Sequence, residues 1–135
     1  MSIKIDTSYW PVAVVLPSGQ VSDDELQTFL SDYSKLIRLK REPYVLVIDL
    51  RLASDLKATQ RKAITNYMQK QEEFARVYCY GTVLVFSSAL MRALLTGILW
   101  IRTPPQPLFV SATLEEASEW ARKQLGRARR LSQPV

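Results

Sequence analysis

Histidine is absent from this chain, cysteine occurs once, and glycine occurs only four times. Without histidine there is no imidazole general base, so neither a Ser-His-Asp nor a Cys-His catalytic arrangement can exist. A zinc cluster built from cysteine and histidine is excluded for the same reason. The lone cysteine, Cys79, cannot form a disulfide within the chain, which fits a reducing compartment. All four glycines (Gly19, Gly81, Gly97, Gly126) stand alone, so no glycine-rich phosphate loop is present. Long hydrophobic runs are also missing. The most apolar stretch, residues 90–101, is interrupted by Arg92, Thr96 and Gly97 and is too short for a bilayer core of roughly 30 Å. The first residues, Met-Ser-Ile-Lys-Ile-Asp, lack the basic start and apolar run of a signal peptide, so the expected location is cytoplasmic.

What is present is ordinary globular material: 135 residues, 47% hydrophobic and 23% charged, enough for one core and one domain. The formal net charge is +5, but it is not spread evenly. Of the 18 lysines and arginines, five follow residue 121: Arg122, Lys123, Arg127, Arg129 and Arg130. The remaining 13 balance the 13 aspartates and glutamates. A body of zero net charge has no general attraction for phosphate, which argues against a nucleic-acid partner. The basic residues themselves read either as a solvated helix end that favours cations or as an electrostatic anchor.

The pattern of residues alternates between strand and helix. Ile3 and Ile5, then residues 10–17, read as two short strands limited by prolines. Ser22 and Glu25 have capping-box spacing and precede an apolar stripe of Leu26, Phe29, Leu30, Tyr33, Leu36 and Ile37, which Pro43 cannot prolong. Residues 44–50 form a continuous apolar run, the mark of a strand covered on both faces. A helix is expected from about Thr59 to Arg76, with Ile64, Tyr67, Met68, Gln71 and Phe74 on one side. Residues 79–86 form another buried strand. Ser87 or Ser88 can cap a third helix over residues 89–101. A stiff connection, residues 103–107, then leads to a strand at 108–110. Thr113 and Glu116 cap a last helix, with Leu114, Ala117, Ala121 and Leu125 inward and Gly126 as its stop. The expected fold is a single α/β domain with a mixed or mostly parallel sheet and helices packed on it, in the order β-β-α-β-α-β-α-β-α. Residues 1–126 form the domain and residues 127–135 a basic C-terminal tail.

Few residues carry recognisable chemistry. Asp49 lies near the end of a buried strand, where ligand and catalytic groups of α/β sheets gather. A receiver domain would also need an acidic pair after its first strand and a late lysine, and neither is visible, so Asp49 reads as an acceptor for backbone N–H groups of the next loop. Cys79 opens a hydrophobic strand and reads as a small apolar filler. The carboxylates sit mainly at helix starts or among opposite charges, which are routine stabilising positions. No cofactor, metal or catalytic residue is expected, and the chain reads as a non-enzyme.

Val45-Leu-Val-Ile-Asp-Leu50 leading into a loop and helix, with Pro107-Leu-Phe-Val-Ser-Ala-Thr-Leu-Glu-Glu-Ala-Ser-Glu-Trp120 closing the domain, resembles the STAS family of anti-sigma-factor antagonists, the SpoIIAA-like fold. The resemblance covers about residues 1–125 and implies a non-catalytic switch or scaffold. It also implies a phosphorylated serine in an Asp-Ser-Ser-Gly-like motif opening the second helix. This sequence departs there, with Lys57-Ala58-Thr59-Gln60 in its place and only Ser54 and Thr59 as nearby hydroxyls. Thr59 reads either as a phosphoacceptor or as the helix N-cap. Ser132, in Arg129-Arg130-Leu131-Ser132, matches a basic-directed kinase site.

The helix expected at 89–101 is apolar almost all round. Leu90, Met91, Leu94, Leu95, Ile98, Trp100 and Ile101 exceed the single stripe that a sheet-packed helix needs. The surplus must be covered by the neighbouring loop or last helix, by a second copy in a homodimer, by another protein, or by a lipid or other apolar ligand. Burying about 300 Å² of it would contribute about 7 kcal/mol before association costs. The leading expectation is a regulatory or scaffolding protein-interaction module that self-associates through this helix. The alternative is an apolar-ligand carrier or peripheral lipid binder that adds the basic tail as an anchor to a membrane surface.

Overall fold

The apolar run at the middle of the chain becomes β3 (Tyr44–Asp49), and its two covered faces organise everything else. The computed structural model describes residues 2–54, 56–86 and 106–132. In chain order the other elements are β1 (Ser2–Asp6), β2 (Val12–Ser18), α1 (Asp23–Lys40), α2 (Ala58–Lys70), α3 (Glu72–Tyr78), β4 (Cys79–Val85), β5 (Leu108–Ser111) and α4 (Leu114–Ser132). They form a single α/β domain. The five strands lie side by side in sequence order, with β1 antiparallel to β2 and every later pair parallel. The sheet is therefore mixed and mostly parallel. The helix expected at 89–101, its serine caps and the connection at 103–105 lie outside the described residues.

Alternation along β3 sends its side chains into two separate cores. Val45 and Val47 join Val83 and Val85 of β4 beneath Ala117 and Ala121 of α4. Tyr44 and Cys79 face the other way and meet Tyr33 and Ile37 of α1. A third cluster, Val21, Leu26 and Leu30, closes the start of α1 against Ile3, Ile64 and Tyr67. Cys79 and Val83 are four residues apart yet belong to opposite faces. The reason is a bulge: Tyr44 pairs with Cys79 but Leu46 pairs with Thr82, so β4 spends an extra residue there.

Gly81 lies in that bulge, and its lack of a side chain has a packing reason. A Cβ at this position would stand 2.5 and 2.7 Å from two ring carbons of Trp120. The indole cannot easily retreat, because it stacks on Phe109 with centroids 5.5 Å apart and planes 10° from parallel.

Helix ends follow the expected chemistry at two places. Ser22 Oγ accepts from Glu25 N–H at 3.1 Å, and Thr113 Oγ1 accepts from Glu116 N–H at 3.2 Å. Four expectations need correction. The helix expected from Thr59 to Arg76 is two helices, broken at Gln71, whose φ of −96° and ψ of 1° leave the helical region. Arg38 Nη2 of α1 donates to Gln71 Oε1 at 2.7 Å and its guanidinium stacks on the Phe74 ring, so packing against α1 redirects the chain. Met68, expected on one side with Ile64, Tyr67 and Phe74, is exposed while those three pack against the core. Thr59 is not the N-cap of α2; Lys57 is. Gly126 does not stop the last helix, which runs on to Ser132. A helical glycine costs about 1 kcal/mol relative to alanine but does not compel termination, so residues 127–132 continue the helix as its basic end.

Gly81→Ala should lower stability by about 1–3 kcal/mol through overpacking against Trp120. Urea denaturation of Gly81→Ala, Trp120→Leu and the double variant checks this. The added methyl should cost much less once the indole is gone, and strictly additive losses would contradict the packing account.

Candidate functional site

The carboxyl ends of parallel strands open into loops that can carry function while the sheet holds them in place. Here β2 ends at Ser18 and β3 at Asp49, and the two exits are tied together. Gly19 N–H donates to Leu52 O at 2.9 Å, and Ser54 N–H returns the bond to Gly19 O at 3.2 Å. Gly19 has a φ of 66°, a conformation open to glycine without strain. The loop leaving β3 is thereby pinned to the loop that precedes α1.

Asp49 is buried, and its carboxylate is fully engaged. Oδ1 accepts from Arg51 N–H at 3.1 Å and from Arg51 Nε at 2.9 Å, while Oδ2 accepts from Nη2 at 2.8 Å. The two-pronged side-chain bond from Arg51 holds the Asp49 carboxyl below the usual carboxylate range, against the opposing effect of burial. The same contact raises the Arg51 guanidinium. The residue expected to bind loop N–H groups does so, and additionally carries an ion pair that the sequence reading did not include. With both oxygens occupied, Asp49 acts as a brace for the loop.

Gln60 is the functional-looking residue that the sequence reading missed. It is buried at the N3 position of α2. Its Oε1 accepts from Lys57 N–H at 3.0 Å, and its Nε2 donates to Val21 O at 2.7 Å and to Asp23 Oδ1 at 3.0 Å. One amide therefore caps α2 and locks it to the start of α1. A glutamine three residues after the cap was the available signal. It was obscured because Lys57 offers no capping oxygen and Thr59 drew attention instead.

The hydroxyl candidates are now placed. Ser54 and Thr59 are both exposed, Thr59 in the first turn of α2 beside the Gln60 lock. Ser132 is the last residue of α4, far along the chain from that loop. Arg122, Lys123 and Arg127 are exposed on α4, and Arg129 and Arg130 lie in its last turns. The apolar residues Leu90, Met91, Leu94, Leu95, Ile98, Trp100 and Ile101 lie outside the described residues. Cys79 is buried, and burial pushes its thiol up, which disfavours the nucleophilic thiolate. Among the described residues no three metal-ligating side chains converge, and no helix is long and apolar enough to cross a membrane.

Comparison with known proteins gives the fold a name. An uncharacterised protein of the DUF3478 family with a SpoIIAA-like fold, from Shewanella loihica PV-4, superposes with a TM-score of 0.69 at 12% identity, over 89% of this chain and 92% of that one. An anti-sigma factor antagonist from Mycobacterium paratuberculosis superposes with a TM-score of 0.56 at 21% identity, over 90% and 93%. No family model and no curated protein matches the sequence. The fold is therefore SpoIIAA-like, as the strand and helix pattern suggested.

Two outcomes check this geometry. Gln60→Ala should cost about 1–3 kcal/mol, since Val21 O and Lys57 N–H lose their partner. Gln60→Glu should additionally become less stable as pH rises from 4 to 8, because the introduced carboxylate cannot donate and would charge beside Asp23. Urea unfolding at several pH values reads both. The Asp49–Arg51 contact has the opposite sign. A carboxyl depressed in the folded state contributes stability that is present above its unfolded value, about 3.9, and lost as pH falls through the folded one. The urea midpoint of wild type should therefore drop more steeply below about pH 4 than that of Asp49→Asn.

Proposed function

We infer that this chain is a non-catalytic regulatory protein-interaction module that self-associates through the apolar segment at residues 89–101. The observation that carries the reading is the likeness, over nine-tenths of both chains, to a protein described as an anti-sigma factor antagonist. The site geometry agrees with it. Among the described residues the one buried carboxylate, Asp49, is spent on Arg51, and the buried Gln60 is spent on joining two helices. Both are devices for holding a surface in shape.

The exposed face at the start of α2 is the second part of the proposal. A phosphate on Thr59 would meet the free N–H groups and positive end of α2, with Lys57 and Arg61 close in sequence. It would add about −2 charge to a surface whose backbone is already pinned by Gln60. Such a modification changes what the face can bind without rebuilding the fold. Ser54 and Ser132 are the alternative hydroxyls. The homodimer would use Leu94, Leu95, Ile98 and Trp100, whose apolar surplus the sequence places in one short segment.

Light scattering at micromolar concentration tests the self-association. Wild type should be a dimer, and Leu95→Glu or Trp100→Glu should give folded monomers with the circular dichroism of wild type. A folded wild-type monomer would overturn it. Sedimentation with anionic liposomes separates the lipid-binding alternative: a wild-type monomer that sediments with vesicles, through Arg127, Arg129 and Arg130, would replace the dimer reading.

A further inference from the structure

An open groove of about 530 Å³ runs between the free edge strand β1 and the first half of α1. Ile3 and Ile5 of β1 and Phe29 of α1 form its apolar floor, while Asp24, Glu25 and Asp32 line it with acid around Thr28. None of its lining residues is basic. Asp24, Thr28 and Asp32 are spaced by four, so they stand in one column along the helix and are all exposed. The volume lies within the range of sites that hold compact ligands, but the groove is open and bordered by a strand edge that is unpaired among the described residues, which suits a length of chain.

The same molecule carries a segment of opposite character. All of the excess positive charge lies in Arg122, Lys123, Arg127, Arg129 and Arg130 of α4. Leu125 of this helix packs on the core, and Arg127, two residues on, is exposed. Beyond Gly126 the sequence continues the apolar spacing with Ala128 and Leu131, set among three arginines.

We propose that the β1–α1 groove receives the basic C-terminal turns of α4 from a second copy of this chain. The groove cannot be filled by the helix of its own chain. α4 packs over Val45, Val47, Val83 and Val85, whereas α1 packs over the opposite face with Tyr44 and Cys79. The ends differ too. Ser2 pairs with Ser18, so the groove lies toward the carboxyl ends of the parallel strands, where α1 begins. α4 starts beside the carboxyl end of β5 and runs back past Gly81, near the start of β4, before its arginines. Leu131 supplies an apolar contact for Ile3, Ile5 and Phe29, and Arg127, Arg129 and Arg130 supply cations for the acidic rim. The contact joins two different surfaces, so it is head-to-tail and propagates as a ring or an open chain. It is independent of the apolar segment at 89–101, and a failure of either leaves the other standing.

Dilution series of the full-length ¹⁵N-labelled protein, followed by amide NMR spectra, test it site by site. On concentration, amides of Ile3, Thr28, Phe29 and Asp32 should shift together with those of residues 126–132. The apparent affinity should weaken at least about tenfold between about 0.05 M and 0.5 M salt, as screening shortens the reach of charge. Asp24→Lys/Asp32→Lys should abolish both sets of shifts, and so should Arg127→Glu/Arg129→Glu/Arg130→Glu. Mixing the first variant, labelled, with the second, unlabelled, should restore the groove shifts, because the reversed charges again match. Three results overturn the proposal: groove amides that do not move on concentration, groove shifts that survive either reversal, or a mixture that restores nothing. Shifts confined to residues near the 89–101 segment would report the other contact alone and count against this one.

Discussion

A strand that is apolar on both sides must be covered twice, and that requirement at β3 governs the rest of this structure. Val45 and Val47 are covered by α4, while Tyr44 is covered by α1. Parallel pairing of β3 with β2 and with β4 forces each connection to cross the sheet, and each crossing carries a helix. Because the strands run the same way, their carboxyl ends gather at one rim. The loops of that rim inherit a fixed frame from the sheet. The bulge in β4 belongs to the same logic. It lets Cys79 fill one core and Val83 the other, and the glycine it contains makes room for Trp120.

The rim is stiffened by polar groups that are otherwise costly to bury. Asp49 is held by Arg51 at both carboxylate oxygens, and Gln60 satisfies one donor and two acceptors at once. Each leaves little unpaired, so the penalty for burial is met within the rim itself. Gln60 also connects segments far apart in sequence, joining residue 60 to residue 21, and the paired bonds of Gly19 with Leu52 and Ser54 repeat the link nearby. Thr59 therefore projects from a turn that cannot easily change shape. A charge placed there would alter the electrostatics of the rim more than its geometry, which is how a modification can switch recognition while the fold stays intact.

Much of the architecture was legible in the sequence because periodicity and capping chemistry are local. Five successive apolar residues, Tyr44 to Ile48, bounded by Pro43 and Asp49, read as a doubly covered strand, and Ser22 with Glu25 or Thr113 with Glu116 mark helix starts by spacing alone. What was not legible depends on distant partners. The break at Gln71 comes from Arg38, thirty-three residues earlier, and no glycine or proline announces it. Gly126 looked like a stop because glycine commonly ends helices in the left-handed conformation, yet here the cationic residues suit a continued helix terminus. The lock made by Gln60 was hidden because Lys57 is an uncommon cap. The acidic groove was invisible for a different reason: Ile3 and Ile5 meet Phe29 only after β1 has folded back along β2 beside α1.

The distribution of charge gains meaning once it is placed on this frame. A chain with zero net charge over its first 121 residues and +5 over the remainder is electrically polar along its length. Folding does not cancel that polarity, because α4 runs back along one face of the sheet while Asp24, Glu25 and Asp32 stand at the other face and the other end. The sheet stands between the two helices that carry these charges, and at ordinary ionic strength screening confines attraction to about 8–10 Å. Two copies can do what one cannot. The apolar floor of Ile3, Ile5 and Phe29 turns that attraction from a diffuse pull into a located one, since charge alone steers an encounter but apolar contact fixes its register.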